Sequence, residues 1–255
     1  MNQVLVSTSQ GGPHLSNFCN DNWLWSKTDK SHEVRLCGEN LKVVHFHPTW
    51  SNGTAGVRGT RILNGGRYYW EIKIGHRIFG TSMMIGIGTG KSRLHVNAFV
   101  DMLGEDEYGW GLSHKGLLWH NGNWRQYTQP FPENEATTIG VFFDGIKGTL
   151  TYYKDGCDLG VAFTGLHNVQ DDVYPAVCST SAKTEMSLGI RKRELGDLQD
   201  RCRSVILSSL AKVSYVSALS IPNPVKQYLY DGSENEDCGL RPLKRLRSGS
   251  HQLEW

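Results

Sequence analysis

The sequence predicts a mainly β protein, an antiparallel β-sandwich followed by a small C-terminal helical module. From Trp23 to about Arg191, short runs rich in β-branched and aromatic residues alternate with Asn-Gly, Asp-Gly, Lys-Gly and Gly-Gly. Those dipeptides supply the positive φ of tight turns. No helical periodicity interrupts the runs, which points to antiparallel pairing. Beyond them the apolar period changes to that of a helix.

Residues 1–20 (MNQVLVSTSQGGPHLSNFCN) are polar with Gly and Ser, and are expected to form a flexible tail. LKVVHFHP (Leu41–Pro48), RYYWEIKIG (Arg67–Gly75), TSMMIGIGTG (Thr81–Gly90) and YGWGLSHKGLLWHNG (Tyr108–Gly122) read as strands and their turns. In TTIGVFFDGIKGTLTYYKDG (Thr137–Gly156), Val141–Phe143 should pair with Leu150–Tyr153 around a turn at Gly145–Gly148. The sandwich is assigned to residues 21–193.

The stretch Asp197–Val213 carries Leu198, Cys202, Val205, Ile206 and Leu210 along one helical face, and Asp197 is a suitable N-cap. Packing back on the sandwich and entering a partner's groove are both open to that face. The segment SIPNPVKQYLYDG (Ser220–Gly232) has two prolines one residue apart, and composition leaves linker, ligand and docking surface equally open. Residues 196–232 are assigned to the helical module. Residues 233–255 turn acidic and then basic, with RPLKRLR at Arg241–Arg247, and are expected to be a disordered tail. That basic cluster reads as a solvated tail or as a nuclear-import or weak nucleic-acid contact.

Against 27 basic residues stand 25 acidic ones, so a net charge of +2 argues against nucleic acid or an anionic membrane as the main partner. No apolar run approaches the ~18 residues of a membrane span. The six cysteines lack a C-x-x-C pair, and the first residues have no apolar signal core. Reduced thiols and a cytoplasmic or nuclear location are the expectation.

No catalytic residues, metal ligands or cofactor are expected. IGIGTGKS (Ile85–Ser92) has Ile85 where a P-loop needs its first glycine, and its context is sheet rather than helix. His45 and His47 alternate on a strand, and His114 and His120 flank Trp119, but no acidic or Cys partner recurs at ligand spacing.

Leu198-x-x-x-Cys202-x-x-x-Ile206, followed by Ile221-Pro222-x-Pro224-Val225-x-x-Tyr228-Leu229, resembles a SOCS box. GVRGTRILNGGRYYWEIKI (Gly56–Ile74), YGWGL, GVFFDGIKGTLTYYKDG and LGVAF followed by VYPAV are similar to the signature segments of a SPRY domain. Together they resemble the SPRY domain-containing SOCS box family over about Trp23–Gly232. Asp197 departs from the family, which has Ser, Thr or Pro before the Leu.

The resemblance implies a SPRY-type sandwich that grips a short, in several members Asn-rich, peptide of a protein substrate. It also implies a box that docks on an E3 ubiquitin ligase, leading to ubiquitination and proteasomal degradation of the target. It implies that Leu198, Cys202, Val205 and Ile206 bind elongin C, which comes with elongin B. Ile221, Pro222, Pro224, Val225 and Leu229 would bind cullin-5, which brings its RING protein; the prolines would stiffen Ile221–Val225 as an apolar strip, and Tyr228 and Leu229 would begin the packing back onto the box. Pro48, Thr49, Trp50, Phe99, Met102, Thr180, Ser181 and Ala182 would form the peptide site. Phe99 stands where the family has Tyr, and Thr180–Ala182 replace a Val-Trp-Gly run, so a different preferred peptide is expected. The protein would be a non-enzymatic receptor. The rival reading is a SPRY scaffold or adaptor whose helices only complete the fold.

Overall fold

Two eight-stranded antiparallel sheets pack face to face in the computed structural model, which describes residues 12–38, 40–196, 198–210 and 213–234. The first sheet runs β14 (Cys157–Phe163), β13 (Thr149–Lys154), β12 (Thr137–Asp144), β6 (Arg67–Ile74), β16 (Thr184–Glu194), β4 (Val43–Phe46) and β3 (Val34–Cys37), and β1 (Phe18–Asn20) pairs with β16. The second runs β11 (Asn123–Gln126), β10 (Leu117–His120), β9 (Gly109–Ser113), β7 (Met83–Thr89), β15 (Val173–Ser179), β5 (Thr54–Gly59) and β2 (Trp25–Lys30), with β8 (His95–Val96) on β5.

The expected hairpin forms in register, Val141 opposite Tyr152 and Phe143 opposite Leu150. Period-2 alternation then sorts the side chains. Trp70, Ile72, Val141, Phe143 and Tyr152 from the first sheet meet Trp25, Val57, Ile85 and Ile87 from the second in one core. The Tyr152 hydroxyl, fully buried, donates to the Ile85 carbonyl at 3.0 Å and so satisfies its polar atom across the two sheets.

The outer face of the second sheet holds a smaller core. Met84, Ala176 and Cys178 of β7 and β15 pack there against Met102 and Leu103 of the β8–β9 connection. Glycine in the strands makes this approach possible. A Cβ on Gly111 would lie 2.9 Å from the Met84 methyl, and one on Gly56 3.1 Å from that of Met102.

The N-terminal boundary needs correction. The flexible tail was expected to reach residue 20, but Phe18–Asn20 pairs with Lys192–Glu194, and Phe18 packs near Phe142 with ring centroids 6.1 Å apart. An aromatic side chain with a free sheet edge within reach is enough to order this stretch. The sandwich therefore runs from Phe18 to Glu194.

The helical module holds α1 (Leu198–Ser209), a 3-10 segment (Val213–Ala218) and α2 (Asn223–Glu234). Ile221–Val225 is not an extended proline-stiffened strip. The Pro222 carbonyl accepts from the amides of Val225 (3.0 Å) and Lys226 (3.1 Å), starting α2. Pro224 then lies in the first turn, where its missing N–H costs no hydrogen bond. Lys226 Nζ donates to the Ser217 carbonyl at 2.8 Å, holding α2 to the 3-10 segment, and Val216 and Leu229 are buried. The cap expected at Asp197, the Arg241–Arg247 cluster and residues 1–11 lie outside the described residues.

Candidate functional site

Antiparallel register brings the ends of β4, β6 and β15 and the starts of β5, β7 and β16 to one end of the sandwich. The segments expected to form the peptide site converge there. Ser51 Oγ, between β4 and β5, donates to the Thr180 carbonyl at 2.6 Å. Thr54 Oγ1 lies 2.7 Å from the Ala98 carbonyl and accepts from the Val100 amide at 3.1 Å. The loop 48–53 is thus tied to 180–183 on one side and to 97–102 on the other.

On this rim Trp50 is 74% exposed and Phe99 51% exposed, with Thr49 exposed and Pro48 and Ala182 half-buried. The other three expected contacts are buried. Met102 is a core side chain of the smaller cluster. The buried Thr180 hydroxyl accepts from the Ser82 amide at 2.9 Å and donates to the Ser82 carbonyl at 3.0 Å. Ser181 Oγ donates to the Phe79 carbonyl. These two hydroxyls build the loop and are not turned to a ligand. Polar side chains just past a strand are indistinguishable in sequence from ligand contacts, because both uses need a short hydroxyl.

Sequence reasoning missed His47 as a structural anchor of the rim. It follows β4 with φ 45°, is fully buried, and its Nε2 donates to the Ser179 carbonyl at 3.1 Å. That bond fixes the tautomer, leaving Nδ1 toward Glu33 Oε2 at 3.8 Å. Burial pushes the imidazole below its ordinary pKa, against the opposing pull of the Ser179 carbonyl and Glu33. The left-handed residue also explains why the two histidines do not share a face. His45 instead sits 3.4 Å from Glu185 on the neighbouring strand.

The turn after β7 behaves opposite to a phosphate loop. The Arg58 guanidinium donates to the carbonyls of Gly90 (3.0 Å) and Ser92, so the turn offers oxygens to a cation. Among the described residues no three His, Cys, Asp or Glu side chains gather as metal ligands, and no helix is long and apolar enough to cross a membrane.

At the helical module, Leu198 is 74% exposed, Val205 67% exposed and Cys202 exposed. At 100° per residue the three lie within an arc of about 60°. Ile206 borders the arc and is half-buried, while Leu210 lies beyond the last turn and is half-buried. Among the described residues, nothing covers these three side chains. At and just before the start of α2, Pro222, Pro224 and Val225 are exposed and Ile221 half-buried, while Leu229 on α2 is 1% exposed. Leu229 is therefore an inward-facing side chain of the module, not an open contact.

Comparison with known proteins bears on both halves. The SPRY domain family profile matches residues 67–191. "SPRY domain-containing SOCS box protein 3" of Xenopus tropicalis is 41% identical over 168 residues, covering 65% of this chain and 45% of that protein. Its counterpart in Xenopus laevis is 37% identical over 210 residues, 81% of this chain and 57% of that protein. The chain thus spans about half the length of these two relatives. "SPRY domain-containing SOCS box protein 1" of Bos taurus is 30% identical over 220 residues, covering 80% of this chain and 79% of that one. The solved SPRY domain of human HERC1 superposes with a TM-score of 0.52 at 17% identity, over 65% of this chain and 97% of that one, a likeness of fold.

Proposed function

Because the chain belongs to the family of SPRY domain-containing SOCS box proteins, we propose that it is a substrate-recognition subunit of a cullin-RING ubiquitin ligase. The rim around Trp50 and Phe99 grips a short peptide of the target, and α1 enters a groove on elongin C through Leu198, Cys202, Val205 and the flanking Ile206. The start of α2 and the residues leading into it, with Ile221, Pro222, Pro224 and Val225, contact cullin-5, and Leu229 sets their position from inside the module.

The observation that carries this reading is the solvent-facing stripe on α1. Three apolar side chains in one arc, on a helix that adjoins a finished sandwich, are a helix face awaiting a groove. No step of chemistry falls to this chain. It raises the concentration of the target's lysines beside a charged ubiquitin carrier, which converts an encounter into an intramolecular event. The hydroxyls of Thr180 and Ser181 are engaged by the fold, so the peptide meets an apolar rim with backbone groups. We therefore expect its preference to differ from the Asn-rich ligands of relatives that recognise side-chain amides.

Co-purification tests it. Elongins B and C should come down with the wild type and not with Leu198→Ser, Cys202→Arg. Because both positions are exposed, the variant should melt with the wild type. Elongin retained by a folded double variant would instead favour a scaffold that never meets the ligase.

A further inference from the structure

A second surface adjoins the rim, and the two share Pro48. A cleft of about 400 Å³ is lined by Lys27, Lys30, His32, Arg35, Leu36 and Pro48, among others, and among the described residues by no carboxylate. Neither Lys27, Lys30 nor Arg35 forms an ion pair with a described carboxylate. Of the nearby described acids, Asp29 is paired with Arg58 at 2.6 Å, while Glu33 stands 3.8 Å from both His32 and His47. A chain of net charge +2 thus gathers three positive side chains in one concave place.

The cleft also follows an open strand edge. β3 is the last strand of its sheet. The His47 amide donates to the Glu33 carbonyl at 2.9 Å, and Arg35 and Cys37 stand opposite His45 and Val43. Antiparallel ladders bond every second residue, so 33, 35 and 37 turn their main-chain groups to β4, and Val34 and Leu36 turn theirs outward. At Val34 the outward groups are occupied, since its amide donates to the Ser31 carbonyl at 3.1 Å and its carbonyl accepts from Lys30 Nζ at 2.8 Å. At Leu36 the amide and carbonyl open into the cleft.

We propose that this cleft takes an extended acidic segment of the recognised protein. The segment lies along the free edge of β3 with Leu36 N–H and C=O as its ladder partners and its carboxylates beside Lys27 and Arg35. This rests on the reading that the rim grips a peptide, and Pro48 makes the two surfaces continuous. It assigns the substrate class, a short rim-binding motif flanked by an acidic strand.

The test uses the full chain and a labelled octapeptide of alternating Glu and Val, read by fluorescence anisotropy at low and physiological salt. Binding should weaken with salt, and the Gln-Val peptide and the Lys27→Glu, Arg35→Glu variant should each bind roughly tenfold more weakly or worse. Leu36→Pro removes the outward N–H on an edge strand, a position that tolerates proline, together with a half-buried side chain packed on the core, so Leu36→Ala is its control for lost packing. The proline variant should bind the peptide more weakly than Leu36→Ala at a similar melting temperature. Undiminished binding by the charge variant would overturn the site, and undiminished binding by folded Leu36→Pro would overturn the strand pairing. A single-stranded oligonucleotide that outcompetes the peptide, and is lost in the same charge variant, would reassign the cleft to nucleic acid. Elongin capture is read separately and is unchanged in the cleft variants, so failure of the ligase reading and failure of the cleft are distinct results.

Discussion

The guanidinium carbon of Arg203 lies 3.6 Å from the centroid of the Tyr228 ring, joining α1 to α2 through a cation and an aromatic face. This contact is on the side of α1 away from Leu198 and Val205, so the module coheres without using the stripe. A double-mutant cycle of Arg203→Ala and Tyr228→Leu should give a coupling of about 0.5–1 kcal/mol. Amide exchange of α2 is the measurement, and additive effects would mean that the contact is incidental.

Leu229 and Val225 share α2 and should behave oppositely. Leu229→Ala removes a buried side chain and should cost about 2–5 kcal/mol of the module's stability, with loss of α2 exchange protection. Val225→Ala, on the exposed side, should change stability by about 0.5 kcal/mol or less while weakening cullin-5 capture. Equal loss of protection in both variants would count against the inward placement of Leu229.

Acidification should loosen the rim. His47 is held neutral by burial, so its folded pKa lies below the value of 6.5 at which the unfolded chain titrates. Its contribution is complete above that value and declines as pH falls toward the depressed folded pKa, since only the unfolded state then takes the proton. His114, likewise pushed down by burial and by Lys115, adds to the same trend. Melting temperature should fall from pH 7 to pH 5, and His47→Asn, which tolerates the left-handed backbone, should flatten part of that slope. An unchanged slope in the variant would exclude His47 as a source.

Tyr152→Phe deletes the hydroxyl that reaches Ile85, and with it one buried hydrogen bond between the two sheets. We expect a loss of about 0.5–1.5 kcal/mol in urea denaturation with the m-value unchanged.

Much of this architecture is legible in the sequence because its signals are local. Val141–Phe143 finds Leu150–Tyr153 through the Gly145–Gly148 turn, and the Leu198, Cys202, Val205 spacing marks a helix face without reference to anything else. The glycines of IGIGTG likewise declare close packing. What was not legible depends on contacts far apart in the chain. Met102 looks like a loop residue until Gly56 of β5 and the outer face of β7 and β15 are seen to receive it. Thr180 and Ser181 look available until Ser82 and Phe79, about a hundred residues earlier, claim their hydroxyls. Pro222 and Pro224 bracket a helix start as readily as an extended strip, and the 3-10 segment beneath them decides between the two.

The tie between Ser51 and the Thr180 carbonyl has a consequence for how this protein could diversify. The rim is fastened by a side-chain oxygen reaching main chain, as it is at Thr54 and at Thr180 itself, and by the buried His47. Trp50 and Phe99 take no part in that fastening. Foldability and taste are thus written in different letters of the same loops, and new target sequences could be acquired by changing the second set while the first stays fixed.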